Sequence, residues 1–440
     1  MPIGNEPSAN AGLNRPKYTT MELIVLDNGL VSRGAHSYHM ALALDRELQR
    51  LGIRHRIFAA RKAAPEVASE TGAAPFFRRD LYESVRRPAL CQLLQAGFGA
   101  LAKKHSDLPF DSARSEVLTF KTLNRDYRRD LRRLRAVWKP DNVVLIAGLS
   151  QNELLGLVTH LLSLPAPQRP TVICQLMFSP SWTSWGAESV HGHAYYARIF
   201  KLAAPLVNRS LFFVCETSSQ AAQYTDAFDV PVGVVPIPLA AIRQNRRGHS
   251  DGPRIRFGYF GYSKTAKGFH LLPKAIEICE ARGLDAEFVV QVNHTAWEPA
   301  VIEAERVLER SNRVRLVTGE LSSERYYALF RQVDAILLPY DSREYGQRGS
   351  GILVEAVSSG YPIVASLGTW GASAILEGKA AGEIFETFDS AALADAICRL
   401  AEGMEANQEA AESRATAFAA HHTPQSYVAA LLAIAEKRKP

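Results

Sequence analysis

Only five of the 440 residues are cysteine (Cys91, Cys174, Cys215, Cys279 and Cys398), an odd number with no CxxC spacing. That scarcity excludes a zinc ribbon and a disulfide framework, and it fits a reduced, cytoplasmic compartment. No apolar run approaches about eighteen residues, so no segment is expected to span a membrane. The first twenty residues carry Gly, Pro, Asn and Ser without an apolar core, so they read as a flexible extension rather than a signal peptide. The chain has no complete G-x-G-x-x-G turn and no G-x-x-x-x-G-K-[ST] loop, which argues against a dehydrogenase and a P-loop enzyme. No metal-ligand cluster is visible, and neither a metal nor a cofactor is expected.

What is present is a globular balance: 47% apolar and 22% charged residues. The length exceeds one ordinary core and points to two domains of about 200 residues each. The net charge of +6 is unevenly spread. Basic residues cluster between Arg54 and Lys139: Arg78-Arg79, Arg86-Arg87, Lys103-Lys104, then Arg125, Arg128, Arg129, Arg132, Arg133 and Arg135. Leu123, Tyr127, Leu131, Leu134 and Trp138 recur there at helical spacing, which sets most of the arginines on the other faces of an amphipathic helix. That helix is either a solvated surface element or a peripheral contact for an anionic membrane or acidic acceptor, through basic residues of 78–139. Nucleic acid is not expected, because no aromatic-interleaved or zinc-finger pattern accompanies the charge.

Strands and helices alternate. Met21–Leu26, Arg54–Phe58, Asn142–Ala147, Thr171–Leu176 and Leu211–Cys215 read as buried strands, and residues of about 65 to 139 as mostly helical excursions. The polar stretch Asn245–Pro253 is the best linker, after which the pattern restarts with strands near 254–260, 287–291, 313–317, 334–338 and 363–365. This predicts an α/β chain with two Rossmann-like domains facing across a cleft, where ligands bind at the carboxyl ends of the strands. The organisation expected is a flexible extension over 1–20, a first Rossmann-like domain over 21–244, a linker over 245–253, a second Rossmann-like domain over 254–411 and a helix over 412–440 crossing back to the first domain.

The most informative stretch runs from Arg348 through Gly349-Ser350-Gly351-Ile352 to Glu355, Gly360 and Pro362. Three small residues at a helix start let backbone amides and the helix dipole meet an anion. Glu355 lies roughly 6 Å further along the axis, at about 1.5 Å per residue, where a carboxylate would accept from sugar hydroxyls. The alternative is an ordinary capped core helix.

Three ordered stretches make the second half resemble the retaining, GT-B-fold glycosyltransferases of family four (glycosyl transferases group 1). They are Tyr259-Phe-Gly261 through Lys264 to Lys267-Gly268, Val314 through Gly319 and Tyr326–Phe330 to Asp334–Pro339, and the helix bearing Glu355-Ala, Gly360 and Pro362. The first half matches more thinly, at Val214-Cys-Glu-Thr-Ser and Val234-Val-Pro236. The resemblance implies a GT-B fold and transfer of a sugar, with retention, from a nucleotide diphosphate sugar to a glycan or lipid-linked acceptor, in cell-envelope polysaccharide, lipopolysaccharide or glycolipid synthesis. It implies no cofactor beyond the donor substrate, and a cytoplasmic place that includes peripheral contact with the inner face of the membrane.

On that resemblance, Lys267, Arg348 and Gln347 are the catalytic candidates. Gly34, Gly261, Lys264, Gly319, Ser350, Gly351, Ile352 and Glu355 are the donor-binding candidates, Gly34 acting with Arg33 from the first domain. Three departures matter. The family's E-x7-E pair has Gln347 in its first slot, and Gln supplies no carboxylate base or nucleophile. Tyr262 replaces the usual arginine of the phosphate loop. The usual first-domain histidine has no counterpart at Met177-Phe-Ser-Pro180, and His191 and His193 lie further on. These departures keep two other readings open: a non-catalytic nucleotide-sugar-binding scaffold, and a nucleotide-sugar epimerase of the same fold.

Overall fold

The computed structural model describes residues 21–33, 36–82, 112–182, 189–239, 254–294, 298–319 and 321–438. The first sheet contains β1 (Glu22–Asp27), β2 (Arg54–Ala60), β3 (Ala73–Phe77), β4 (Val143–Leu149), β5 (Thr171–Leu176), β6 (Leu211–Cys215) and β7 (Val232–Val234). Its order is β3-β2-β1-β4-β5-β6-β7, with every pair parallel. The second contains β8 (Ile255–Tyr259), β9 (Ala286–Val292), β10 (Val314–Thr318), β11 (Ala335–Leu338), β12 (Ile363–Ser366) and β13 (Gly382–Phe385), in the order β10-β9-β8-β11-β12-β13, also parallel. Each sheet reverses direction between its first and fourth strands in chain order, and that crevice is where the loops carrying chemistry emerge.

The central strands are apolar on both faces because helices cover both. Ile24 and Leu26 of β1 join one core with Val144 and Ile146, beneath the helix Gln151–Leu162. Leu23 and Val25 point the other way, into a core shared with the helices His36–Leu51 and Pro424–Glu436. This is the two-residue alternation of a strand, doubled by a two-sided core.

Strands β3, β7 and β13 are absent from the sequence reading. Pro75 masks β3, yet it costs little on an edge strand, where one side of the ladder is unpaired. Strand β7 has only three residues, one of them Gly233. The expected amphipathic helix exists as Ser112–Arg133, with Leu123, Tyr127 and Leu131 buried and Leu134 and Trp138 buried just beyond it. Arg78 and Arg79 do not contribute to a free basic face. Their Nε atoms lie 2.7 Å from Asp130 and 3.1 Å from Asp126 of that helix. Arg125, Arg129, Arg132, Arg133 and Arg135 stay exposed, while Arg86, Arg87, Lys103 and Lys104 lie outside the described residues.

The expected C-terminal helix is two helices. Met404–His421 packs on the second domain and Pro424–Glu436 on the first, broken where Thr423 caps the new helix and Pro424 opens it. His422 lies at the break and ties the two crossings together. Its Nδ1 accepts from the Ile237 N–H at 3.1 Å, and its carbonyl accepts from the Leu239 N–H at 3.4 Å. The linker expected at 245–253 lies outside the described residues.

Burial, ahead of the neighbouring His421, pulls the His422 imidazole down to about 4. Burial, with Arg128 and Arg132 nearby, does the same to His160, which sits 4.6 Å from the Trp138 ring without a hydrogen-bond partner on either nitrogen. A histidine near 6.5 when unfolded and near 4 when folded takes its proton first in the unfolded chain. Its contribution is therefore complete above about pH 6.5 and is lost as pH falls toward 4, at up to roughly 1.4 kcal/mol per pH unit for each histidine. Unfolding free energies at pH 7 and pH 5 are expected to show a smaller drop in His160→Phe than in the natural protein. An identical drop in the two would refute this assignment.

Candidate functional site

The site is built on the helix Gly351–Ser358, where β11 hands over to β12. Ser350 is its N-cap, extended at φ −137°, and its Oγ accepts from the Leu353 N–H at 3.2 Å. The amides of Gly351 and Ile352, in the first turn, need partners from outside the helix. Ile352 also roofs the loop after β8. A side-chain carbon on Gly261 would stand 2.6 Å from Ile352 Cδ1, and Gly261 holds φ +95°, so both space and backbone demand glycine there. The Gly261 N–H donates to Gln291 Oε1 at 2.9 Å, which fixes the loop to β9.

One turn into the helix, Glu355 is buried and accepts from the Tyr326 hydroxyl at 2.6 Å. That bond comes from the helix Ser323–Phe330 and aims the carboxylate. Lys267 closes the turn Thr265–Lys267, and Gly268 then takes φ +70° against the Pro339 carbonyl, where a side chain would collide. The Lys267 ammonium lies 5.3 Å from the Tyr340 ring centre and 6.0 Å from that of Tyr345. Arg348 shares the Tyr345 ring, at 4.8 Å.

Lys264, Lys267 and Arg348 have no carboxylate within ion-pair distance among the described residues. Burial first, then the charges of Lys264 and Arg348, push the Lys267 ammonium down to about 7, with Glu355 opposing. Burial and Arg348 lower Lys264 as well. Around them, Tyr340 Oη and Gln347 Oε1 are buried without hydrogen-bond partners. Three cations, free helix amides and two unsatisfied oxygens form a cradle for an anion bearing hydroxyls.

The first domain closes on this cradle. The Thr217 hydroxyl donates to the Gln347 carbonyl, and the buried Glu216 carboxylate lies so close to Gly349 that any side chain there would overlap it. Glu216 Oε1 accepts from Gln175 Nε2 at 2.9 Å, and Gln175 Oε1 accepts from the Tyr427 hydroxyl at 2.7 Å. A chain of contacts thus runs from the crossing C-terminal helix through β5 and the end of β6 to the Gln347–Gly349 loop. Arg348 bridges the cleft, its guanidinium 5.1 Å from the Phe178 ring centre. Phe178 stacks on Trp182 at 3.8 Å, and half-exposed Tyr82 meets both rings edge-on.

Lys264, Lys267, Arg348, Gln347, Gly261, Ser350, Gly351, Ile352 and Glu355 are thereby brought together. Gly319 is not: it stands exposed at the end of β10, two strands from β8, in open space. Gly34 lies outside the described residues. Arg33 turns away to pair with Glu70. His193 packs on Phe228, about 15 Å along the helix Ser218–Phe228 from its cleft end, and His191 precedes the helix Gly192–Ala203. Sequence reasoning missed Tyr326, Tyr340, Gln175, Glu216 and Phe178. Tyr326 and Glu216 lie inside the quoted motifs, but their spacing gave no sign of which side they face. Another buried carboxyl, Glu153, is pushed up to about 7 by burial, yet it is committed to the capping box of Ser150 in the first domain.

Residues 254–403 match the family model for glycosyl transferases group 1. No curated protein matches the chain. Among solved structures, the N-terminal domain of Candida albicans trehalose-6-phosphate phosphatase superposes with a TM-score of 0.64 at 13% identity, covering 94% of this chain and 97% of that one. A glycosyltransferase of Rickettsia africae gives 0.61 at 10%, covering 96% and 99%. HepE of Anabaena, in complex with UDP-glucose, gives 0.57 at 15%, covering 94% and 98%. At such identities the likeness is one of fold. The chain combines the two-domain GT-B architecture with a glycosyl transferases group 1 match in its second domain, and it is a glycosyltransferase.

Proposed function

We propose that the protein moves a hexose-like sugar, with retention, from a nucleotide diphosphate sugar to a glycan or lipid-linked acceptor in cell-envelope polysaccharide or glycolipid synthesis. The observation that carries this is the set of three cations at the start of the Gly351–Ser358 helix with no carboxylate at ion-pair distance among the described residues. Breaking a glycosyl–phosphate bond leaves negative charge on the diphosphate, and donors already aimed there lower the barrier without reorganising. Lys267, Lys264, Arg348 and the Gly351 and Ile352 amides serve the diphosphate, and Ser350 sets the start of the helix. Glu355, aimed by Tyr326, takes the ribose hydroxyls, and Gln347 Oε1 takes a hydroxyl of the transferred sugar. Gln347 brings no charge, so the donor phosphate itself accepts the acceptor's proton, which keeps attack on the face the leaving group vacates. HepE is seen with UDP-glucose, which makes a uridine donor the first to try.

Nucleotide sugars are expected to raise the melting temperature. Glu355→Ala should weaken UDP-glucose, or whichever donor of a UDP, GDP and ADP panel binds, by about 1.5–3 kcal/mol. Inorganic pyrophosphate, which lacks ribose, should bind the variant as before. No binding by any sugar nucleotide of the panel would sink the reading, and binding without turnover on a cell-envelope acceptor extract would favour a scaffold.

Peripheral membrane contact through the exposed arginines of the Ser112–Arg133 helix and beyond belongs to the same proposal. Each is worth about 1 kcal/mol near an anionic surface. Arg129, Arg132 and Arg133 changed together to Ala should release the protein from phosphatidylserine vesicles while leaving donor binding intact. Equal binding to neutral vesicles would count against it.

A further inference from the structure

Two thiols meet in the second domain outside the donor cradle. Cys279, near the end of the helix Leu272–Ala281, and Cys398, on the helix Ser390–Glu402, are 119 positions apart in sequence, yet their sulfurs stand 3.9 Å apart. Both are free. Cys279 is buried and Cys398 half-buried, whereas the other described cysteines, Cys174 and Cys215, are buried in the first domain.

The two helices are already held in register. Arg282 Nη1 lies 2.5 Å from Asp395 across them, and the Cys279 thiol donates to the Ala394 carbonyl at 3.7 Å. Arg282, held by Asp395 three residues before Cys398, sets a positive charge near that sulfur. Burial and the facing sulfur push the Cys279 thiol well above its ordinary range. Cys398 is therefore the sulfur an oxidant meets first, and Cys279 the slower partner. A disulfide needs its sulfurs about 2 Å apart, so the pair must close by about 2 Å, within reach of side-chain rotation and a small helix shift.

We propose that Cys279 and Cys398 form a reversible oxidation site, closed to an intradomain disulfide by hydroperoxides. The Cys398 sulfur attacks one peroxide oxygen and the O–O bond breaks, giving a sulfenic acid and, from hydrogen peroxide, one water. The Cys279 sulfur then attacks the sulfenic sulfur. The S–S bond forms, the S–O bond breaks, and the departing hydroxide takes the thiol proton as a second water. Two thiols are oxidised and one peroxide is reduced, and a dithiol reverses the change.

The staple would stand behind the donor cradle rather than in it. Ser390 Oγ, at the start of the Cys398 helix, donates to the Leu271 carbonyl at 3.0 Å, in the turn that follows Lys267. Oxidation therefore fixes the base on which the Lys267 turn rests and leaves the cradle's own groups untouched. By closing a long loop it restricts the unfolded chain, and the donor domain gains stability.

The test treats the full chain with hydrogen peroxide, counts thiols after denaturation and maps peptides by mass spectrometry. Two thiols should disappear, a linked peptide pair should join Cys279 to Cys398, and dithiothreitol should restore both. Without reductant, the melting temperature of the oxidised chain should rise by about 5 °C or more. Cys279→Ser and Cys398→Ser should each abolish the rise and the linked pair. An unchanged thiol count, a sulfinic acid on Cys398 with Cys279 still a thiol, or a disulfide joining two chains would overturn the proposal. Pyrophosphate binding by the oxidised chain separates this site from the donor reading, because the staple should form whether or not the cradle takes an anion.

Discussion

Lys264, Lys267 and Arg348 converge where the dipole of the Gly351–Ser358 helix is already positive, and no carboxylate among the described residues pairs with any of them. Like charges several ångströms apart in a partly buried setting repel by on the order of 2 kcal/mol per pair at an effective dielectric of about 20. Burial first, and then this repulsion from Lys264 and Arg348, pushes the Lys267 ammonium down to about 7. The surrounding structure holds the cations there regardless. Gly261 and Gly268 press their loop against Ile352 and Pro339, and the Tyr340 and Tyr345 rings support the two inner cations. On the proposed reading a diphosphate would relieve the repulsion, and as a leaving group it would gain more from those charges as it departs.

The second constraint is the grip of the first domain on the same loop. Thr217 holds the Gln347 carbonyl, Glu216 seats against Gly349, and Phe178 stacks under Arg348. Glu216 is held in turn by Gln175, and Gln175 by Tyr427 on the crossing helix. The C-terminal helix is thus linked by contacts to the Gln347–Gly349 loop. A first-domain carboxylate stands two residues from Gln347, the slot where the related motif carries its own acid. Here that carboxylate accepts from Gln175 and packs against Gly349.

Much of this was legible in the sequence because it rests on local backbone requirements. The small residues at 349–351, the capping Ser350, the glycines at 261 and 268 and the restart of strands near 254 are one-dimensional signals, and each leads to the element it implies. The two sheets were legible from runs of Val, Ile and Leu, except at edge strands: Pro75 hid β3, β7 is only three residues long, and β13 is four residues opened by Gly382. Contacts between elements far apart in sequence were not legible. Nothing in the local pattern tells Tyr326 to aim Glu355, or Gln175 to hold Glu216, or Cys279 to face Cys398. Charge was misleading where partners came from elsewhere: Arg33, Arg78 and Arg79 looked like free cations and are held by Glu70, Asp130 and Asp126.

If the cradle is strained by its own charges until an anion arrives, removing one charge must stabilise the empty protein and disable the loaded one. Lys267→Met keeps the length and apolar stem of the side chain and deletes only the ammonium. Melting temperatures measured with and without UDP-glucose, or the donor that binds best, test this directly. The account predicts a higher melting temperature for the empty variant than for the empty natural protein, with most of the donor-induced rise gone. A variant that melts lower when empty and still gains the full rise from donor would contradict it.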